Sequence, residues 1–193
     1  MNLNKEYWEN KYQNKDTGWD IGHISPPLKK YIQQLKDKNI KILVPGAGKG
    51  HEAMYLHELG FTNVYVIDFA RQALDHIKMC SPSFPENHLI QEDFFNVELN
   101  AFDLILEQTF FCALNPALRN KYAHKMHEIL ASKGKLVGLY FNFPLTEKGP
   151  PFGGSKEEYK KLFSPLFNIK VLEKASNSIL PRAGNELFFI FEK

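Results

Sequence analysis

Cysteine is nearly absent from this 193-residue chain: Cys80 and Cys112 are too few for a disulfide framework and too far apart for a Cys-x-x-Cys metal or redox pair. A reducing cytoplasm is the expected setting, and no metal site is expected. Long apolar runs are also missing. Nothing approaches the ~20 uninterrupted apolar residues that cross a bilayer, and the polar opening MNLNKEYWEN lacks the apolar core of an export signal. The chain is therefore expected to be soluble, unexported and without a membrane partner. Charge of one sign is not massed anywhere: 24 Lys and Arg against 22 Asp and Glu leave a net charge of +2, with the lysines scattered. That balance argues against a nucleic-acid surface and for a small-molecule partner. With no repeat, low-complexity tract or compositional break, residues 1–193 are expected to form a single domain, as a monomer or weak homodimer.

What is present is centred on Lys41–Gly50, KILVPGAGKG. Ile42, Leu43 and Val44 form a short apolar run that stops at Pro45-Gly46, and Gly48 and Gly50 lead into a helical segment, His51–Leu59. A second apolar run, Val64–Ile67, ends in Asp68, 22 residues after Gly46. Glycines after a strand let the backbone approach a ligand closely, and an acid at the tip of the next strand accepts hydrogen bonds from ribose hydroxyls. The pattern predicts an adenosine-type cofactor.

The remaining chain reads in order. Residues 1–39 hold both tryptophans: Tyr7, Trp8 and Tyr12 lie at helical spacing, and Thr17–Gly22 reads as a loop carrying Trp19. Pro26-Pro27 start a helix through Leu35. This segment is expected to cap the core, residues 40–193. Ala70–Cys80 is helical, His88–Gln91 and Phe102–Leu106 are strands, and Asn115-Pro116 opens a long amphipathic helix closing at Lys133-Gly134. A fifth strand covers Leu136–Phe141. After a Pro/Gly-rich loop come a short helix at Glu157–Phe163 and two β runs, Phe167–Leu172 and Leu187–Phe191, joined by the loop Ala175–Asn185. Alternation of strand and helix predicts an α/β fold: a doubly wound, Rossmann-like sheet, mostly parallel, with a terminal antiparallel hairpin and helices on both faces.

In such sheets the ligand lies beyond the carboxyl ends of the strands. Those ends carry Gly46-Ala47-Gly48, Asp68-Phe69, Asp93-Phe94 and Glu107-Gln108. Asp93-Phe94 offers a carboxylate for an exocyclic amine and a ring for adenine. A nicotinamide enzyme favours Gly-x-Gly-x-x-Gly, whereas the third glycine here, Gly50, comes one position early. A cofactor with an amino acid in place of the pyrophosphate suits the loop, and S-adenosyl-L-methionine is such a cofactor. A nicotinamide-dependent oxidoreductase and a non-catalytic S-adenosylmethionine-binding protein stand as alternatives.

Further residues carry a family resemblance over about Tyr7–Phe191: Trp8 and Trp19-Asp20 with Gly22 and Pro26; Leu43-Val44-Pro45-Gly46 with Gly48-Lys49; Asp93-Phe94-Phe95; Phe110-Phe111-Cys112-Ala113 with Asn115-Pro116; and Gly149-Pro150-Pro151-Phe152. In these the chain resembles the thiopurine S-methyltransferase superfamily, within it the plant-type halide and thiol methyltransferases. The resemblance implies that Trp8 and Trp19 cover the cofactor, Gly46 and Gly48 approach its methionine part, Asp68 takes the ribose, Asp93 and Phe94 take the adenine, and Gln108 lies at the cofactor. Thiopurine-type members tend to carry arginine at the Gln108 position and plant halide-type members tyrosine; Phe143 stands near a tyrosine of the plant enzymes.

The expected reaction is in-line methyl transfer to a small nucleophile, a thiol first and otherwise a halide or thiopurine-like acceptor. The methyl group is already activated, so positioning suffices, and no catalytic base is expected; His51 and His23 are assigned ordinary polar roles. The acceptor pocket is expected between the N-terminal cap, the start of the helix after strand four and the loop after strand five. Its candidate lining is Phe110, Phe111, Tyr140, Phe143, Pro151, Phe152 and Arg182, with Cys112 as a small buried hydrophobe.

Overall fold

In the computed structural model, which describes residues 3–193, each of the seven apolar runs becomes a strand of one sheet. Two helices precede it. Helix α1 (Lys5–Gln13) starts at Asn4, whose side chain accepts from the Tyr7 N–H at 3.1 Å, and α2 (Pro26–Ile32) carries both prolines in its first turn, where a missing N–H costs nothing. There follow β1 (Ile42–Pro45), α3 (His51–Glu58), β2 (Val64–Asp68), α4 (Arg71–Cys80), β3 (Leu89–Gln91), β4 (Phe102–Gln108), α5 (Arg119–Ile129), β5 (Leu130–Phe141), α6 (Lys156–Phe163), β6 (Asn168–Lys174) and β7 (Glu186–Glu192). The strand order is β3-β2-β1-β4-β5-β7-β6, parallel through β5, with β7 antiparallel to both β5 and β6. The expected sheet and its terminal hairpin are both present.

Alternation along the strands sends side chains to two separate cores. Leu43, Ile67, Ile105 and Leu136 pack with Tyr122, Met126 and Ile129 of α5 and Tyr159 and Phe163 of α6. Their neighbours Ile42, Val44, Leu104, Leu106 and Val137 pack with Leu28 and Ile32 of α2, Leu56 of α3, and Leu74 and Ile77 of α4. Both faces are therefore covered, as a largely parallel sheet requires. The winding reverses between β1 and β4, which opens a crevice at their carboxyl ends.

Several boundaries differ from expectation, among them the end of α2 at Ile32 instead of Leu35 and the start of β5 at Leu130 instead of Leu136. The helix after Pro116 ends at Ile129, not at Lys133-Gly134, because Leu130 is buried and already pairs with Phe102. Lys133 does take a left-handed φ of 63°, but within β5, where the register shifts; its N–H donates to the Lys193 carbonyl at 3.1 Å. The turn signal marks an irregularity in a strand, not a helix end. Strand β4 runs on through Glu107 and Gln108, which pair with Gly138 and Leu139. Strand β6 starts at Asn168, leaving Phe167 to fill the core.

Candidate active site

The glycine loop folds back under the N-terminal segment. Gly46 and Gly48 hold φ of 56° and 57°, a region costly for residues with a Cβ. At Gly46 space forbids one as well, since a Cβ would run into the Phe110 ring; at Gly48 a Cβ would make ordinary contact, 3.5 Å from the Trp19 indole nitrogen and 3.7 Å from the Tyr12 hydroxyl. Asp68 Oδ2 accepts from the Gly48 N–H at 3.3 Å and Oδ1 from the Ala70 N–H at 2.9 Å. A carboxylate has about four acceptor positions, so each oxygen keeps one for a ligand. Burial pushes the Asp68 carboxyl up to about 6, against the pull of the backbone N–H groups.

Above the loop, Trp19 lies edge-on to Trp8 and Tyr12, with ring centroids 5.3 and 5.7 Å away. Asp20 fastens this cluster. It accepts from Lys49 Nζ at 2.6 Å, His51 Nε2 at 2.7 Å and the Gly22 N–H at 2.9 Å. Burial by itself would raise the Asp20 carboxyl; the bonds from Lys49, Gly22 and His51 hold it down to about 2. Lys49 and His51 thus reach across to the N-terminal segment, and His51 is occupied by Asp20. His23 Nδ1 lies 2.7 Å from the Ile24 carbonyl, so both histidines have polar partners within the chain.

At the end of β4 the backbone is strained. Thr109, a β-branched residue, has φ of 59°, a conformation costing ~1–3 kcal/mol that persists only where neighbours enforce it. Glu107 enforces it: its Oε1 accepts from the N–H groups of Phe110 at 2.9 Å and Phe111 at 3.2 Å. The side chain is fully buried, its Oε2 has no partner, and burial pushes the carboxyl up to about 8. Gln108 beside it also keeps a buried amide with neither end bonded. Past β3, Asp93 is exposed and accepts from the Phe95 N–H at 2.9 Å, whereas Phe94 is buried edge-on to Phe110.

These elements enclose a cleft of about 1360 Å³, larger than the ~300–1,000 Å³ of a site for one small ligand and roomy enough for two. All nine residues expected at the cofactor border it: Trp8, Trp19, Gly46, Gly48, Asp68, Phe69, Asp93, Phe94 and Gln108. Of the expected acceptor residues, Phe110, Pro151 and Arg182 border it and four do not. Phe111 and Tyr140 are 1% exposed and belong to the core packed against α5 and α6, Tyr140 stacking on Phe189 at 4.0 Å. Phe152 is buried behind Gly149, its N–H donating to the Cys112 carbonyl at 2.7 Å, and Phe143 bridges Gly154. Strand-end aromatics filled the sheet-to-helix gap; Phe141, Cys112, Pro150 and Pro181 take their places on the wall. Arg182 is not a solvated loop arginine. Its side chain is 12% exposed, and its Nη2 donates to the Trp19 carbonyl at 2.7 Å.

A cleft of this make, at the switch point of such a sheet, bears comparison with known proteins. The sequence profile of thiopurine S-methyltransferase matches residues 3–188. The chain belongs to the thiopurine S-methyltransferase family. It is therefore an S-adenosyl-L-methionine-dependent methyltransferase. Among its relatives are a probable thiol methyltransferase 2 of Arabidopsis thaliana, 30% identical over 93% of this chain and 81% of the relative, and thiocyanate methyltransferase 1 of Brassica oleracea, 29% identical over the same shares. A thiopurine S-methyltransferase of Acinetobacter baylyi is 24% identical over 95% of this chain and 94% of its own length. The fold matches the Burkholderia thailandensis 1,6-didemethyltoxoflavin-N1-methyltransferase, solved with S-adenosylhomocysteine and 1,6-didemethyltoxoflavin. There the TM-score is 0.77 at 17% identity, over 99% of this chain and 87% of that one.

Within this thiopurine S-methyltransferase fold, several residues take part that sequence reading assigned no role. Asp20 stood only among the resemblance anchors; its partners Lys49 and His51 lie about thirty positions on, a pairing no local pattern marks. Glu52, buried on the cleft border with its carboxyl pushed up by burial, reads in sequence as an ordinary helix-start acid. Thr109 gave no signal, since its strain comes from Glu107.

Proposed function

We propose that the protein transfers the methyl group of S-adenosyl-L-methionine to a small thiol by in-line displacement, with the chain supplying alignment and exclusion of water. The observation that carries this is the mixed lining of the cleft, which sets the glycine loop and the free acceptor positions of Asp68 and Asp93 beside the apolar side chains of Phe110, Phe141, Pro150 and Pro151. We assign the first group to the cofactor half and the second to the acceptor half. The residues fit the cofactor: Asp68 would take the ribose, Asp93 the adenine amine, and the Gly46–Gly48 backbone the methionine part, under a lid of Trp8 and Trp19. When bound, S-adenosyl-L-methionine supplies a methyl group on a sulfonium, already activated toward a nucleophile. The acceptor reacts as its thiolate, its proton already lost to solvent, so no base of the chain is called on, and positioning alone is worth effective molarities of ~10⁵ M or more. The charged side chains that fasten the cover are bound within the protein, Asp20 to Lys49 and His51 and Arg182 to Trp19. An organic thiol brings an apolar body for the wall to bury, and a bare halide brings none. The protein works as a monomer or weak homodimer in the cytoplasm, with Cys80 and Cys112 unpaired.

Calorimetry against S-adenosyl-L-methionine, S-adenosylhomocysteine and a nicotinamide dinucleotide tests the cofactor half, with heat expected for the first two alone. Aliphatic and aromatic thiols, thiopurines, iodide and thiocyanate, followed by mass spectrometry of the methylated products, test the other half. Methylation of halide or thiocyanate with no thiol methylated would overturn the acceptor assignment.

A further inference from the structure

The Trp19-Asp20 turn is gripped from both ends of the cleft. On the cofactor side Asp20 holds Lys49 at 2.6 Å and His51 at 2.7 Å, which flank Gly50 at the end of the glycine loop. On the other side Arg182 reaches over from the loop between β6 and β7 to donate to the carbonyl of the adjacent residue, Trp19, at 2.7 Å. That loop also places Pro181 on the acceptor wall. Arg182 is drawn out of solvent to make this contact, its Nη1 lying 3.4 Å from Glu186 Oε1 and its guanidinium carbon 5.6 Å from the centre of the Phe141 ring. Sequestering a guanidinium from water is costly unless every donor is used, and here the shortest bond goes to a peptide carbonyl of a distant segment. The contact ties two walls of the cleft together.

We propose that Arg182 is a positioning residue that couples the two halves of the cleft, so that filling the cofactor half sets the acceptor wall. The route is short. Trp19 stands over Gly48, where a ligand on the glycine loop meets it. One peptide carries a shift of that ring to its own carbonyl, and the Arg182 bond carries it to the loop bearing Pro181. The inference rests on the functional reading above, in that it takes the Gly48 side as the cofactor's. Coupling of this kind typically amounts to about 5- to 150-fold in affinity, and it is reciprocal between the two ligands.

The test uses the full chain and thiophenol as the acceptor probe, with affinities read from the fluorescence of Trp8 and Trp19, the two tryptophans of the chain, and from calorimetry. Thiophenol is titrated with and without saturating S-adenosylhomocysteine. Wild-type protein is expected to bind it at least about fivefold more tightly with the cofactor product present. In Arg182→Met the ratio is expected to fall to within about twofold of unity, and in Arg182→Lys, which keeps the charge beside Glu186 and loses the fork, to fall by most of that amount. Asp20→Asn loosens the same turn from the other side and should lower the ratio too. A purely structural role for Arg182 would lower the melting temperature or weaken both ligands while leaving the ratio intact, and that result overturns the proposal. So does a wild-type ratio of one. Absence of any S-adenosylhomocysteine binding by wild-type protein would be a different failure, overturning the methyl-transfer reading beneath it.

Discussion

Asp68→Ala is expected to weaken S-adenosyl-L-methionine binding by about 1.5 to 3 kcal/mol, roughly a ten- to 150-fold rise in Kd, while the far-ultraviolet circular dichroism stays unchanged. The magnitude is that of a charge-assisted acceptor, and the fold survives because the strand behind Asp68 is held by its own ladder to β1 and β3. A pH dependence accompanies it. Burial raises the Asp68 carboxyl to about 6 in the free protein, and ribose hydroxyls are better held by the ionised form. Above about pH 6 no proton has to leave on binding and the affinity should be flat. Below it a proton must be displaced, and the affinity should fall by up to about tenfold per pH unit. Asp68→Asn should bind weakly at every pH and lack this step, as calorimetry from pH 5 to 8 would show; a step of equal size in both proteins would assign the titration to another group.

The second large effect concerns Glu107. Its carboxyl titrates near 8 in the folded protein against 4.5 for an unperturbed glutamate, because burial penalises the charge and Glu52 adds repulsion. The folded state therefore keeps a proton that the unfolded chain releases. Stability is full below about pH 4.5 and is lost as pH rises toward 8, above which both states are ionised and the loss levels off. At ~1.4 kcal/mol per unit over the interval from 4.5 to about 8, the loss is on the order of 5 kcal/mol. Glu107→Gln retains an oxygen for the Phe110 and Phe111 N–H groups and carries no charge, so urea midpoints of the variant and wild type should match near pH 5 and diverge by pH 8, the variant being more stable. Parallel curves across that range would mean that Glu107 is ionised in the folded protein. The wild-type residue keeps this cost at a turn where Thr109 is also strained and the Gln108 amide is unbonded, a concentration of unfavourable terms beside the cleft.

Sequence periodicity was a good guide to the sheet because each strand buries both faces or alternates between them, and burial leaves a one-dimensional trace. Residues at the strand ends were legible for the same reason: the end of a strand is where a parallel sheet presents its ligand, so Gly46, Asp68, Asp93 and Gln108 could be named and do border one cleft. The aromatics of the acceptor side were not equally legible. Phe110 and Phe111 are adjacent and alike, yet one faces the cleft and the other the core, since they start a helical turn in which successive side chains point in different directions. Tyr140 and Phe141 divide the same way by the pleat of β5, and there the sequence showed both as apolar without showing which face was open.

The sequence by itself determined the order of elements, the ligand end of the sheet, the class of cofactor and the family, because these depend on local apolar pattern, turn chemistry and short motifs. Only the tertiary structure decided which residues fasten the cover. Asp20 with Lys49 and His51, Arg182 with the Trp19 carbonyl, and Glu107 with the Thr109 turn are polar groups paired across the cleft or under it. Polar pairing carries no periodicity. A charged side chain reads the same in sequence whether it ends in water or beside a partner 163 residues away, and its partner becomes known only when the sheet has brought the two together.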